Sequence, residues 1–394
     1  MMTSGSTTRI GIVTKEWPPS VYGGAGVHVV QLTEALRKLN NVEVDVHCFG
    51  GPRNDGSHGY ETPADFADAN PALQAIATDL AIANNLANVD VVHSHTWYAN
   101  MAGHTASLLY GTPHIVSAHS LEPLRPWKAE QLGGGYHISS WAEKTAYEAA
   151  AAIIAVSDGM RADVLKAYPN VNPAKVVTIR NGVDTSRFAP NNDTSVLSEF
   201  GITGRYAMFV GRITRQKGLA HLLRAWREVP ADYGLVLAAG SPDEPGIGAE
   251  VAELIAELQA TRSNVWWIKE MLPHEKLTAA LTHADLFLCP SIYEPLGIVN
   301  LEAMGCETAV LASRVGGIPE VVNHETTGEL VDYTESDIPR FEAAITEAIT
   351  RLMGDPELLT RYGKAGRQRA ISEFGWDAVA ATTLALYQSV IQKR

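Results

Sequence analysis

Two glutamates stand eight residues apart in a segment whose surroundings suit a bound anion. This segment, residues 291–302, follows the apolar run Leu286–Cys289 and contains Pro295 and Gly297. Proline and glycine here predict the start of a helix, so we expect free backbone N–H groups from Leu296 to Ile298. Such a helix end carries a partial positive charge and favours a diphosphate.

The two glutamates themselves, Glu294 and Glu302, have separate expected roles. Glu302 is predicted about two turns beyond Glu294, where a carboxylate can bond ribose hydroxyls, as an acidic residue does in dinucleotide sites. Glu294 lies in the preceding loop, where it is placed to hold sugar hydroxyls. The alternative interpretation is a surface helix that carries two solvated glutamates.

Two cations, Arg212 and Lys217, follow the first apolar run of the second half of the chain and are predicted to lie in a loop between Gly211 and Gly218. Fixed cations at such a place would stabilise the charge that builds on a departing diphosphate. Arginine binds phosphate as a planar fork, and lysine binds it as a point charge. No Asp-x-Asp motif stands near this loop or near Glu294, so no metal or other cofactor is expected. A basic loop before an exposed helix is the alternative.

A glycine-rich loop follows the first apolar run of the chain. Gly23, Gly24 and Gly26 are expected to allow positive φ and close approach of the backbone to a ligand before a helix begins. The pattern is not G-x-G-x-x-G, and tight helix packing is the alternative explanation.

Three histidines are expected at the ends of strands. His93 and His95 form an H-x-H pair, and His119 follows another apolar run. No third metal ligand stands near the pair in the sequence, so a metal site is not predicted; such histidines are more often hydrogen-bonded core residues. His119 is the stronger candidate, because the polar loop after it could bring a sugar hydroxyl or a developing oxocarbenium ion to its ring.

The first half also contains residues suited to a phosphorylated or sugar acceptor. Residues 123–136 are rich in Arg, Lys, Trp and Tyr, and aromatic rings pack against sugar faces while cations pair with phosphate. A solvated loop is the alternative. The candidate acceptor-binding residues are Lys15, His95, Tyr98, Arg125, Lys128, Tyr136 and Lys144.

Apolar β-branched runs alternate with helix-length amphipathic segments, which predicts an α/β protein with parallel sheets covered on both faces. The turn-rich stretch 181–193 predicts a linker. We therefore expect two Rossmann-like domains facing across a deep cleft, residues 1–188 for the acceptor and 189–375 for the donor. The last helix, in residues 376–394, is expected to pack back on the first domain. Residues 50–63 are expected to be an exposed loop.

Composition restricts the class of partner. The 394 residues carry a formal net charge of −13, which argues against nucleic acid as the partner. Cys48, Cys289 and Cys306 lie far apart and read as buried free thiols. The N-terminal residues do not resemble a secretory signal, and no run is apolar enough to span a bilayer. A cytoplasmic protein without membrane or nucleic-acid partners is expected, with a homodimer left open.

These motifs together resemble the family 4 glycosyltransferases with the GT-B fold, over nearly the whole chain. The pattern consists of the glycines at 23–24, the G-R-x4-K segment and the E-x7-E segment. The longer runs at residues 22–28 and 119–128 resemble the actinobacterial glycogen synthases of that family.

The resemblance implies a retaining glucosyltransferase that uses ADP-glucose. Its acceptor would be glucose 1-phosphate, giving maltose 1-phosphate, or the non-reducing end of an α-1,4-glucan. It also implies that Arg212 and Lys217 hold the donor diphosphate, Glu294 the transferred glucose, Glu302 the ribose, and His119 the glucose near the reacting carbon. A UDP-sugar transferase for another acceptor and a non-catalytic nucleotide-sugar sensor remain as alternatives.

Overall fold

The computed structural model describes residues 7–21, 23–125 and 133–393. They form two compact units of α/β structure. One comprises residues 1–182 together with the C-terminal residues 376–394, and the other comprises residues 183–375. Among the described residues, no helix is both long enough and apolar enough to cross a membrane.

The first unit is built on a seven-stranded sheet in which every neighbouring pair is parallel, in the order β3-β2-β1-β4-β5-β6-β7. Its strands are β1 (Thr8–Thr14), β2 (Val42–Phe49), β3 (His58–Tyr60), β4 (Val91–His95), β5 (His114–Ala118), β6 (Ala152–Ala155) and β7 (Val176–Thr178). Its helices are α1 (Gly24–Arg37), α2 (Pro71–Ala83), α3 (Trp97–Tyr110), α4 (Gly135–Ala149), α5 (Asp158–Ala167) and the C-terminal Trp376–Ile391.

The second unit repeats this plan with a six-stranded parallel sheet in the order β10-β9-β8-β11-β12-β13. Its strands are β8 (Tyr206–Ile213), β9 (Gly234–Pro242), β10 (Val265–Ile268), β11 (Leu286–Cys289), β12 (Ala309–Ser313) and β13 (Gly328–Val331). Its helices are α6 (Ser195–Glu199), α7 (Leu219–Trp226), α8 (Pro245–Thr261), α9 (His274–His283), α10 (Ile298–Gly305), α11 (Ile318–Val321), α12 (Ile338–Met353) and α13 (Pro356–Glu373); the C-terminal helix is therefore α14.

The predicted α/β class with parallel sheets is confirmed, because nearly continuous apolar strands are covered by helices in both units. Two strands went unpredicted. The segment 50–63, expected to be an exposed loop, contains β3. Strand β13 has four residues and begins with glycine, so its sequence shows no clear alternation of apolar and polar residues.

The C-terminal helix α14 belongs to the core of the first unit. Trp376, Val379 and Tyr387 are buried in the same apolar cluster as Ile10 of β1 and Leu32 of α1. The Tyr387 hydroxyl also bonds His93 Nδ1 at 2.6 Å. This helix therefore completes the apolar layer that covers one face of the sheet.

Strand order locates the place in each unit where a ligand is expected. In an open parallel sheet, ligands bind beyond the carboxyl ends of the two strands at which the order reverses. Those strands are β1 and β4 in the first unit and β8 and β11 in the second. Several candidate residues of the sequence follow these strands: Lys15 follows β1, Tyr98 follows β4, Lys217 follows β8 and Glu294 follows β11.

Candidate active site

Lys217 and Glu294 form a close ion pair at the carboxyl ends of β8 and β11. Lys217 Nζ lies 2.6 Å from Glu294 Oε2, and their side chains are 18% and 9% exposed. Burial by itself would lower the pKa of Lys217, but the Glu294 carboxylate raises it above its usual value. The lysine is therefore a fixed cation at neutral pH, held against the Glu294 side chain.

The loop that carries Lys217 is a single 3-10 turn, Arg215–Lys217, that ends at Gly218. Gly218 has φ +65°, and a Cβ there would lie 2.0 Å from the Pro290 carbonyl oxygen. A side chain is excluded at this position by both the backbone conformation and the contact. The glycine thus allows the turn to lie directly against the end of β11, which brings the lysine within reach of Glu294.

The loop after β11 is held by its own hydrogen bonds. The Gly317 N–H donates to the Glu294 carbonyl oxygen at 2.9 Å, and the Ser291 hydroxyl donates to Glu294 Oε2 at 3.3 Å. The Ser313 hydroxyl donates to the Ser291 carbonyl oxygen. The Glu294 carboxylate is thereby fixed in position on both its backbone and its side-chain atoms.

Helix α10 begins at Ile298, so Leu296 and Gly297 precede it rather than form its first turn, which corrects the predicted start. Gly297 is the N-cap in the left-handed conformation, with φ +96°, a conformation that most side chains disfavour. Helix N-termini leave backbone N–H groups unpaired, and in this helix the N-terminal turn starts at Ile298. Leu296 is buried.

Glu302 lies one turn inside α10 and is half-buried. Burial raises the pKa of its carboxyl to about 7, and the nearby Lys217 opposes that rise. Near neutral pH this group is therefore partly protonated. A carboxyl in that state can both donate and accept hydrogen bonds, as a diol partner requires.

Arg212 lies within strand β8, not in the loop where it was predicted, because β8 extends to Ile213. Its Nη1 donates to both carboxylate oxygens of Asp243, at 2.6 and 2.9 Å. Arg215 makes a similar pair with Glu244 at 3.3 Å. Both acids follow β9, and sequence reasoning missed them; their position at a strand's carboxyl end was the available signal.

The glycines at the start of α1 are needed because they have no side chain. Gly23 is the N-cap of α1 with an extended φ of −136°, and Gly24 and Gly26 are helical, so the predicted positive φ is wrong. A Cβ on Gly26 would lie 2.5 Å from Glu16 Oε2. That same oxygen accepts a 2.8 Å bond from the Gly23 N–H. The glycines therefore make room for Glu16 at the helix start.

The histidines separate into two kinds. His93 is a satisfied core residue, since its two ring nitrogens bond the Tyr387 hydroxyl at 2.6 Å and the Ser117 hydroxyl at 2.8 Å. His95 and His119 instead bond each other, Nδ1 to Nε2 at 3.0 Å, and His28 of α1 packs against both rings. The sequence showed no third histidine near the H-x-H pair because His28 comes from a distant element.

Two of the candidate acceptor-binding residues lie together. Lys15 follows β1 and places Nζ 3.8 Å from the centre of the Tyr98 ring. Burial lowers the pKa of Lys15, and neighbouring Glu16 opposes this. Arg125 and Tyr136 form a second group, in which Arg125 bonds the Ser120 hydroxyl at 3.1 Å and Tyr136 bonds the Glu122 carbonyl oxygen at 2.8 Å.

The remaining two candidate acceptor residues are set apart from these groups. Lys144 pairs with Glu148 at 2.7 Å on α4, and its side chain is 53% exposed. Lys128 lies outside the described residues.

Comparisons with known proteins agree with this architecture. Residues 22–187 match the model of Glycosyltransferase Family 4, and residues 199–369 match that of the Glycosyl transferases group 1. The chain is 53% identical to the α-maltose-1-phosphate synthase of Mycolicibacterium smegmatis, over 97% of this chain and 99% of that one. It is 28% identical to the glycogen synthase of Mycobacterium tuberculosis, over 96% and 94%.

A solved structure supports the fold alone. The sucrose-phosphate synthase of Thermosynechococcus elongatus superposes with a TM-score of 0.81 at 23% identity, covering 98% of this chain and all of the other. The chain is thus an enzyme of the glycosyltransferase class with a GT-B-like fold. It belongs to the family 4 glycosyltransferases, and its relatives include α-maltose-1-phosphate synthases.

The raised pKa of Glu302 predicts a specific pH dependence of stability. The folded carboxyl, with its pKa near 7, binds a proton more tightly than the unfolded one, whose ordinary value is 4.5. Its contribution to stability is complete below about pH 4.5 and is lost as pH rises toward 7. We expect Glu302→Gln to lose less stability than the wild type between about pH 5 and pH 8 in urea unfolding.

The control for this measurement is Glu357→Gln, which changes an exposed glutamate at the start of α13 in the same unit. Its stability curve should run parallel to that of the wild type. A Glu302→Gln curve that is also parallel would contradict the buried, proton-binding state of Glu302.

Proposed function

We propose that this enzyme transfers glucose from ADP-glucose to glucose 1-phosphate, giving maltose 1-phosphate and ADP with retention at the anomeric carbon. The observation that supports this most is the fixed pair of Lys217 and Glu294 beside the start of α10. The cation and the helix end suit a diphosphate, and the carboxylate suits the hydroxyls of the sugar attached to it. The relatives named α-maltose-1-phosphate synthase support the choice of product.

In this proposal, the second unit stabilises the leaving group. The bond between the glucose C1 and the β-phosphate oxygen breaks, and negative charge builds on ADP. Lys217 and Arg212 neutralise that charge, together with the N–H groups at the start of α10. Glu302 holds the ribose. The family likeness does not distinguish ADP from UDP, so the base is part of the proposal.

The acceptor's 4-hydroxyl attacks C1 on the face from which ADP departs. Its proton passes to the leaving phosphate oxygen, so the new C1–O bond forms with the original configuration and no covalent glucosyl-enzyme arises. His119 is neutral, because burial and the neighbouring His28 and His93 lower its pKa. We assign it a neutral hydrogen bond to the transferred glucose. No step requires a bound metal.

We assign the acceptor phosphate to the pair of Lys15 and Tyr98. The lysine is partly buried beside an aromatic ring, where a phosphate would receive a charge-assisted bond that water screens weakly. Arg125 and Tyr136 form the second part of the acceptor site. The competing acceptor is the end of an α-1,4-glucan, which the glycogen synthase relative favours.

The direct test is incubation of the full chain with ADP-glucose or UDP-glucose, each against glucose 1-phosphate and against glycogen. The product is identified by mass and by the anomeric proton coupling. Maltose 1-phosphate from ADP-glucose is the expected result. Lengthened glycogen without maltose 1-phosphate would show that the acceptor is a glucan and not glucose 1-phosphate. Faster turnover of UDP-glucose would show that the donor is UDP-glucose and not ADP-glucose. A trapped glucosyl-enzyme would overturn the same-face mechanism.

Replacing Lys217 tests leaving-group stabilisation. We expect Lys217→Met to lower kcat by about 10²–10³-fold with a smaller change in KM, as loss of a preorganised charge partner does. The control is Lys276→Met, because Lys276 is also ion-paired, with Glu199 at 2.6 Å, but lies on α9.

The Lys217→Met variant leaves Glu294 buried and unpaired, which itself destabilises the fold. Folding is therefore checked by thermal unfolding, and the double variant Lys217→Met/Glu294→Gln removes the unpaired charge. A folded Lys217→Met enzyme with wild-type turnover would exclude the lysine from leaving-group stabilisation.

Replacing Lys15 separates the two acceptors. Lys15→Met should raise the KM for glucose 1-phosphate at least about tenfold, since a hydrogen bond to a charged group contributes about 1.5–3 kcal/mol, and should leave activity on glycogen nearly unchanged. Lys144→Met is the matched control, because that lysine is exposed and paired with Glu148. Equal effects of Lys15→Met on both acceptors would argue against a phosphate contact.

A further inference from the structure

Three histidines from separate elements of the first unit converge on one point. His28 lies on α1, His95 ends β4, and His119 follows β5. One ring nitrogen from each lies within 4.8 Å of those of the other two. His28 and His95 are 2% and 1% exposed, whereas His119 is only partly buried. The cluster is therefore largely enclosed, and His119 is its most exposed member.

The ring nitrogens in this cluster are poorly satisfied. Among the described residues, neither nitrogen of His28 has a hydrogen bond of ordinary geometry, although the Asn181 side chain lies beside it. His95 Nε2 is likewise without a partner. A buried polar group left unpaired costs about 1–3 kcal/mol. An unpaired and buried His28 ring beside the bonded pair of His95 and His119 indicates a ligand that bonds to nitrogen.

The charge state of the three rings suits a cation that needs lone pairs. Burial lowers the pKa of His28 to about 4, and burial together with neighbouring histidines lowers the pKa of His95 and of His119 well below the usual value. All three imidazoles are therefore neutral at physiological pH. Neutral imidazole is the form that binds transition metals, so no proton has to be driven from a charged ring before a metal binds.

We propose that His28, His95 and His119 form a binding site for a divalent transition metal of the Zn²⁺ type. Zinc binds histidine nitrogen at about 2.0–2.1 Å in tetrahedral sites, and a three-histidine set leaves the fourth position for water or a ligand oxygen. The His95 and His119 nitrogens already lie 3.0 Å apart. Small rotations of the rings would bring all three nitrogens onto one ion.

Metal binding at this site changes one hydrogen bond. One proton is now shared between His95 Nδ1 and His119 Nε2. With a metal bound, both nitrogens present lone pairs to the ion, and the proton moves to the other nitrogen of the ring that donated it. No ring changes its net charge. Because the proposed function assigns His119 to the transferred glucose, bound metal is an inhibitor of this enzyme rather than a cofactor.

The test begins with binding, measured without any turnover. The full chain is freed of metal with a chelator, then titrated with Co²⁺, whose visible absorption is intense when four ligands surround it tetrahedrally. We expect one such ion per chain in the wild type and competition by Zn²⁺. His28→Gln should weaken binding by more than the roughly 10–100-fold that loss of an outer-shell partner costs.

The matched control is His137→Gln, which changes an exposed histidine on α4 and should bind Co²⁺ like the wild type. Circular dichroism and thermal unfolding establish that each variant is folded. His95→Gln provides a second variant if His28→Gln does not fold. No tetrahedral Co²⁺ spectrum in the wild type, or an unchanged one in folded His28→Gln or His95→Gln, would overturn the site.

Turnover is measured separately, as ADP release from ADP-glucose with and without Zn²⁺. The site predicts inhibition that a chelator reverses and that is weaker in His28→Gln. Tetrahedral binding without inhibition would keep the metal site but remove His119 from the proposed reaction. Normal ADP release with no metal binding would remove the metal site and leave the proposed function intact.

Discussion

The second unit depends on one enclosed ion pair, Lys217 with Glu294. Removing either partner of such a pair leaves an uncompensated buried charge, which costs about 3–5 kcal/mol. The pair joins the turn after β8 to the loop after β11, the two strands where the order of the sheet reverses. Gly218 makes the junction possible because its missing side chain lets the turn touch Pro290. The same contact thus holds the loops and fixes a cation at the proposed donor site.

This pair also holds a cation in a fixed position at the proposed donor site. Because Glu294 holds Lys217 in place, the lysine would need little reorganisation to meet the diphosphate that we propose as its ligand. Preorganised charge stabilises a transition state at no cost at the moment of reaction. Asp243 does the same for Arg212, whose guanidinium is half-exposed and is held by both carboxylate oxygens.

The candidate histidines of the first unit are uncharged, in contrast to the ion pairs of the second unit. His28, His95 and His119 are neutral because burial lowers their pKa values, and neighbouring imidazoles lower those of His95 and His119 further. Neutral donors suit the hydroxyl groups of sugars, and neutral lone pairs suit a transition metal. Both proposals for these histidines, the contact of His119 with glucose and the metal site, therefore depend on the neutral state of the buried rings. They differ in which ligand the rings bind.

The apolar run Leu286–Cys289 coincides with strand β11 to the residue, whereas the ends of other elements were predicted less well. Strand β8 runs on through Arg212, since pairing with β9 continues past the apolar run. Gly23, Gly24 and Gly26 were predicted to adopt positive φ, whereas in the structure the missing side chains of Gly23 and Gly26 leave room for the Glu16 side chain. Neither error was avoidable, because the deciding contact comes from another element of the fold.

The sequence by itself determined the class of fold and the family. Its alternating runs require parallel sheets, and its two charged motifs follow strands at their carboxyl ends. The tertiary structure alone decided which groups meet: Lys217 with a glutamate 77 residues away, Arg212 with Asp243, and His28 with the histidines that end β4 and follow β5. Partner choice and pKa depend on distance and burial, and those are properties of the folded chain.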